Sequence, residues 1–141
     1  MVQRVVDDAT SLIESFKAQG MKITPQRRLL CTLVAEAHDH PTVETIYHRA
    51  IKSMPTISLK TVYTTLTELS DIGAIKLTTL GAGSLRVDRN VAPHAHLVCN
   101  GCGRVVDRPM EIDKHASAVD ETGFEIEEQI LVFRGRCALC R

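Results

Sequence analysis

The chain has no tryptophan, and only 4% of its 141 residues are aromatic. A core must therefore come mostly from aliphatic side chains, for which a hydrophobic content of 44% suffices. No apolar run approaches the ~18 residues that cross a bilayer. The opening MVQRVVDDAT has neither the basic start nor the apolar stretch of a secretory signal. A cytoplasmic protein is expected, whose five cysteines stay reduced and favour metal over disulfides. There are no internal repeats and no low-complexity segments. Nor does either charge dominate: 17 basic and 17 acidic residues balance, which taken alone speaks against a nucleic-acid binder. The balance is uneven along the chain. Between Gly20 and Thr67, six basic residues (Lys22, Arg27, Arg28, Arg49, Lys52, Lys60) stand against three acids (Glu36, Asp39, Glu44).

Apolar spacing predicts four helices. The first spans Asp7 to Gln19, with Leu12, Ile13 and Phe16 on one face. Thr24-Pro25 is a cap and first-turn pair opening the second, striped by Leu29, Leu30, Leu33 and Val34. After the HDHPT break, Thr42 caps a third. Ser58 caps a fourth, with Val62, Leu66 and Leu69 inward and Gly73 as the stop. The period then shortens to two. AIKLTTL and SLRVDR, separated by Gly81-Ala82-Gly83, read as a β-hairpin. Helices followed by such a wing make a winged helix-turn-helix, the fourth helix being the one that enters a major groove.

A hinge at Val91-Ala92-Pro93 divides a DNA-binding domain (1–90) from a second domain (91–141). There, HAHLVC and RVVD are expected to be short strands, Glu111 to Thr122 a helix with His115 inward, and Glu125 to Phe133 a long strand. The apolar end of that strand fits either a subunit interface or the centre of a monomer's sheet. The fold class is thus α+β: an N-terminal winged helix-turn-helix domain followed by a small α/β dimerisation domain with a four-cysteine zinc site.

The site reading rests on Cys99-x-x-Cys102 and Cys137-x-x-Cys140. Two such pairs can wrap one tetrahedral Zn²⁺, with Gly101 and Gly103 permitting the turn. A disulfide switch uses the same spacing. Cys31, on the apolar side of a helix, reads as a small buried hydrophobe. His94 and His96, two apart on a strand, share a face. With Asp88, Asp107 and His40 they make either an N/O site for a divalent ion such as Fe²⁺ or Mn²⁺ or polar surface near a hinge. Spacing alone leaves this open, and it assigns nothing to His38 or His48. Tyr63 is expected to face outward, since its neighbour Val62 fits the apolar stripe better.

MKITPQR at 21–27, HPTVETIY at 40–47, ISLKTVYTTLTEL at 57–69, HAHLVCNGCG at 94–103 and the final CALC together resemble the ferric uptake regulator family, over about Gly20 to Cys140. The resemblance implies a homodimeric repressor on double-stranded operator DNA, with structural Zn²⁺ on the four cysteines. It implies a regulatory Fe²⁺ or Mn²⁺ on His40, Asp88, His94, His96 and Asp107, the ligand set of the family's peroxide-sensing branch. Iron-uptake members usually carry Glu near position 88, an Asp where Ala95 stands and a histidine where Gln129 stands. Zinc-uptake members add a cysteine that the wing, Ile75 to Val87, lacks.

DNA contacts are expected from Lys22, Arg27, Ser58, Lys60, Thr61, Tyr63 and Thr64. Thr64 departs from the basic residue common there, and Lys60 and Thr67 also vary from the usual pattern. By resemblance the metal clamps the two domains at the angle that fits the operator. Peroxide acts through iron-catalysed oxidation of the ligand histidines His40 or His94. A family repressor answering iron, manganese or zinc availability alone is the alternative. A metalloenzyme is a weaker one, because no nucleophile–base pair stands out.

Overall fold

A side-chain cap starts each helix in the computed structural model, which describes residues 8–80, 84–110, 119 and 121–141. Asp8 accepts from the Ser11 amide at 2.9 Å and begins α1 (Ala9–Ala18). Thr24 accepts from the Arg27 amide at 3.2 Å and begins α2 (Pro25–Ala35), with Pro25 in the first turn as expected. Thr42 begins α3 (Val43–Ser53) and Ser58 begins α4 (Leu59–Asp71), each holding the amide three residues on. Each such cap stabilises its helix by about 1 kcal/mol. Gly73, at φ +75°, turns the chain out of α4.

Two compact units divide the chain, Met1–Ala92 and Pro93–Arg141. In the first, Leu30, Val34, Ile46, Val62, Leu66 and Leu69 are wholly buried, and Phe16 of α1 closes the same core. Each such side chain contributes about 1.5–3 kcal/mol by leaving water. Arg27 links α1 to α4. Its Nη2 donates to both Glu68 oxygens at 3.0–3.1 Å, and its guanidinium lies 5.0 Å from the Phe16 ring centre. The expected hairpin is β1 (Lys76–Thr79) antiparallel to β2 (Leu85–Asp88), with Leu77 opposite Val87. Its Gly81-Ala82-Gly83 turn lies outside the described residues. The stretch before α3 adds itself to β2. The Val87 amide donates to the Pro41 carbonyl at 2.9 Å, and Thr42 bridges Arg86.

The second unit contains β3 (Ala95–Cys99), β4 (Val105–Arg108) and β5 (Leu131–Gly135) in the order β4-β3-β5. β4 runs antiparallel to β3, and β5 parallel to it. The long strand expected from Glu125 is shorter and later than its sequence suggests. Its pairing begins only at Leu131, opposite Ala95, and continues to Gly135, opposite Cys99. Before it, Glu127, Glu128 and Gln129 are exposed, and Glu125 makes only an isolated bridge to Val119. β5 is also not central: among the described residues it is an edge strand, with Ile130 44% and Phe133 45% exposed. The helix expected over Glu111 to Thr122, with His115, falls almost wholly outside the described residues.

Candidate metal centre

The four cysteines of the paired motifs meet at the end of the three-stranded sheet. Cys99 is the last residue of β3, and its carbonyl accepts from the Gly103 amide at 2.9 Å, curling Cys102 back. Cys137 and Cys140 lie on a turn just after β5, closed by a 2.9 Å bond from the Cys140 amide to the Cys137 carbonyl. The parallel pairing of β3 and β5 therefore brings both motifs to one place. Their four Sγ atoms lie within 4.8 Å of one another.

Tetrahedral zinc with Zn–S bonds of about 2.3 Å sets its sulfurs about 3.8 Å apart. Cys102 Sγ and Cys137 Sγ are 3.8 Å apart, and a disulfide would need about 2.05 Å. All five cysteines are free thiols. A β-carbon on Gly101 would stand 2.8 Å from Cys140 Cβ, so the two turns close only over a glycine.

The thiol chemistry also calls for a cation. The amides of Cys137 and Gly101 each donate to Cys99 Sγ at 3.3 Å. Backbone N–H groups, chiefly those of Cys137 and Cys102, hold the Cys99 thiol down at about 6. Cys140 is pushed up to about 12 by sharing protons with Cys137, Cys102 and Cys99. One sulfur ionises readily, and another keeps its proton because it is hydrogen-bonded to its three neighbours. A dication removes that conflict.

The imidazole and carboxylate residues form one cluster within each unit. In the second unit, pairing of β3 with β4 sets His96 opposite Asp107. His94 and His96, both buried, turn their Nε2 atoms to within 3.0 Å of each other. Asp107 Oδ1 lies 3.2 Å from the first and 3.7 Å from the second. Ligands at right angles about an ion, with bonds of about 2.1 Å, stand about 3.0 Å apart, so the spacing suits two imidazoles on one ion.

In the first unit, His40 and Asp88 are 6% and 2% exposed, with Nε2 and Oδ1 3.7 Å apart. A carboxylate so buried calls for polar or charged partners. The Asn90 amide donates to Asp88 Oδ1 at 2.9 Å and fixes its direction, and Asn90 Oδ1 in turn accepts from the Ala92 amide at 3.1 Å. His40 sits at φ +48°, a left-handed conformation that costs a histidine about 1–2 kcal/mol. Its carbonyl accepts from Arg86 Nη1 at 2.9 Å. His38 stands apart from this pair, its Nδ1 against Arg89 Nη2 at 2.8 Å. His48 is exposed, its ring beside Tyr47.

Of the expected DNA contacts, Lys22, Ser58, Lys60 and Thr64 are exposed, and Thr61 and Tyr63 half-buried. Ser58, Thr61 and Thr64 share one face of α4 by their spacing of three. Arg27 commits its guanidinium within the unit, to Glu68 and the Lys22 carbonyl. Tyr63 gives its hydroxyl proton to Glu44. Glu44, Glu68, Arg86 and Asn90 were not singled out by sequence reasoning. Glu44, Glu68 and Arg86 act through contacts distant in sequence that no local spacing announces. Asn90 instead works two residues from Asp88 and from Ala92, where the turn-forming preference of Asp and Asn was the available signal.

The model of the "Ferric uptake regulator family" matches residues 18–134. The chain belongs to the ferric uptake regulator family. It is a metal-responsive regulator of that kind, as its motifs led one to expect. Among curated relatives, the "Peroxide-responsive repressor PerR" of Staphylococcus epidermidis is 34% identical over 131 residues, 92% of this chain and 87% of that protein. A structure described as a "zinc-bound manganese uptake regulator" superposes with a TM-score of 0.67 at 28% identity, over 90% of this chain and 98% of the other. The peroxide-sensing PerR of Streptococcus pyogenes gives a TM-score of 0.55 at 25% identity, over 100% of this chain and 98% of its own. The likeness to the peroxide-sensing branch thus holds at the level of relatives.

Proposed function

We propose that this member of the family is a cytoplasmic, homodimeric repressor that binds operator DNA when a divalent ion is bound and responds to peroxide. Structural zinc sits on Cys99, Cys102, Cys137 and Cys140. His40, Asp88, His94, His96 and Asp107 together hold one regulatory Fe²⁺ or Mn²⁺. The observation that carries this reading is the donor chemistry: three imidazoles and two carboxylates with no sulfur among them, each set already gathered within its own unit. Oxygen and nitrogen donors suit Fe²⁺ and Mn²⁺, while thiolates suit zinc. One chain thereby keeps two metals apart.

His40 and Asp88 belong to the winged-helix unit and the other three to the sheet unit. An ion gripped by both restricts the angle between them and raises the population that fits two half-sites. Ser58, Lys60, Thr61, Tyr63 and Thr64 of α4 and its cap, with Lys22, make the DNA-facing set, while the expected contact from Arg27 gives way to its bonds to Glu68 and the Lys22 carbonyl. The exposed apolar side chains Phe133, Ile130, Phe124 and Val119 of the sheet unit support burial against a second copy.

Bound Fe²⁺ would supply the electrons that reduce H₂O₂, and so an oxidant beside the ligand imidazoles. His40 and His94 are the positions at which an added oxygen, about +16 Da, would weaken metal binding and release the operator. A repressor of metal availability without peroxide sensing is the second reading, favoured by the likeness to the manganese uptake regulator structure. An operator gel shift with Fe²⁺ or Mn²⁺, with and without H₂O₂, separates the two. Release only with iron plus peroxide supports the first. Equal behaviour of both metals towards peroxide supports the second.

A further inference from the structure

We propose that Arg86 is a positioning residue for the metal half-site of the winged-helix unit, holding His40 in its left-handed turn so that the imidazole faces Asp88. The inference rests on the reading above that His40 and Asp88 are ligands.

His40 is the only non-glycine residue at positive φ among the described residues, and its side chain is buried. A conformation that L-residues avoid persists only where its surroundings impose it. Arg86 is one such restraint. Its Nη1 donates to the His40 carbonyl at 2.9 Å, while its own backbone bridges Thr42. The next residue of β2, Val87, donates its amide to the Pro41 carbonyl. The turn bearing His40 is thus sewn to β2 by three consecutive links. Asp88 follows two residues after Arg86 on the same strand, so both side chains leave the same face. One four-residue strand therefore carries both a carboxylate for the ion and the clamp for the imidazole that joins it.

Electrostatics gives the proposal a sign. A guanidinium close to a dication repels it. If Arg86 were merely a nearby charge, removing it would tighten metal binding. If it positions His40, removing it weakens binding, because orienting partners of metal ligands typically carry 10–100-fold of the affinity.

The test uses the full-length, zinc-loaded protein and Mn²⁺ as the probe, with affinity read by competition against a fluorescent chelator. Arg86→Met, Arg86→Lys and His40→Ala are compared with wild type, with zinc content and thermal melting followed throughout. Measurements are made at a temperature where every variant is folded. Arg86→Met is expected to weaken Mn²⁺ binding about 10–100-fold with zinc content unchanged. Arg86→Lys, which keeps the charge and a donor, is expected to bind more tightly than Arg86→Met. Unchanged or tighter binding in Arg86→Met, or the reverse order of the two variants, overturns the positioning role while the ligand reading stands. Wild-type affinity in His40→Ala removes the ligand reading itself, and the inference with it.

Discussion

Tyr63 Oη donates to Glu44 Oε1 at 2.6 Å, tying α4 to the first turn of α3. The bond fixes the direction of a ring on the helix proposed to read DNA. Tyr63→Phe and Glu44→Gln are each expected to weaken operator binding, by roughly 3–10-fold for one oriented hydrogen bond, with metal affinity unchanged. Fluorescence anisotropy on a labelled operator measures it. The bond holds the Glu44 carboxyl below its usual 4.5 and the Tyr63 phenol above its usual 10.0. The lowered carboxyl contributes stability that is present above about pH 4.5 and lost in acid. The raised phenol contributes stability present below about pH 10 and lost in alkali. The difference in melting temperature between wild type and Tyr63→Phe should therefore be widest between those limits and shrink below about pH 4. A difference constant down to pH 3 would contradict this.

Arg27 offers a separate test of what that guanidinium does. Its pair with Glu68 is about three-quarters buried, with 19% and 28% of the two side chains exposed, so removing one partner leaves the other under-solvated. Arg27→Ala is expected to destabilise the fold by about 1–3 kcal/mol, read from a urea unfolding curve. A loss of operator affinity without that destabilisation would instead place Arg27 on the phosphates.

Gly101 should tolerate no side chain. Its β-carbon would stand 2.9 Å from Cys140 Sγ, displacing a zinc ligand. Gly101→Ala is expected to lower bound zinc well below one per chain and to lower the melting temperature. Zinc content by mass spectrometry checks the first. Full zinc loading with an unchanged melt would contradict the geometry.

Cys31 is wholly buried, and desolvation pushes its thiol up to about 11. After chelation of zinc from otherwise folded protein, iodoacetamide at pH 8 should label four cysteines and spare this one. Denaturant should be needed for the fifth. Peptide mass spectrometry distinguishes the sites, and rapid native labelling of Cys31 would show that the α2 core opens.

Most of the winged-helix unit was legible because its signals are local. Thr24, Thr42 and Ser58 cap the helices they were expected to cap, and the stripe Val62, Leu66, Leu69 is the buried one. The two strands around Cys99 and Cys102 were legible for the same reason. β5 was not. Glu125 and Ile126 begin an alternation that runs on into its apolar end, and only the position of its partner β3 decides where pairing begins. The side chains that orient a candidate ligand or a candidate DNA contact were equally hidden. Arg86 reaches a carbonyl 46 positions away and Glu44 a hydroxyl 19 away, and neither contact leaves a periodic trace.

The amides pointed at Cys99 bear on how the cysteine cluster would outlast the proposed peroxide signal. A zinc-bound thiolate that also accepts backbone N–H groups has less electron density to surrender to an oxidant. Were peroxide to scar an imidazole as proposed above, that shielding would keep the scaffold intact while the sensor is consumed.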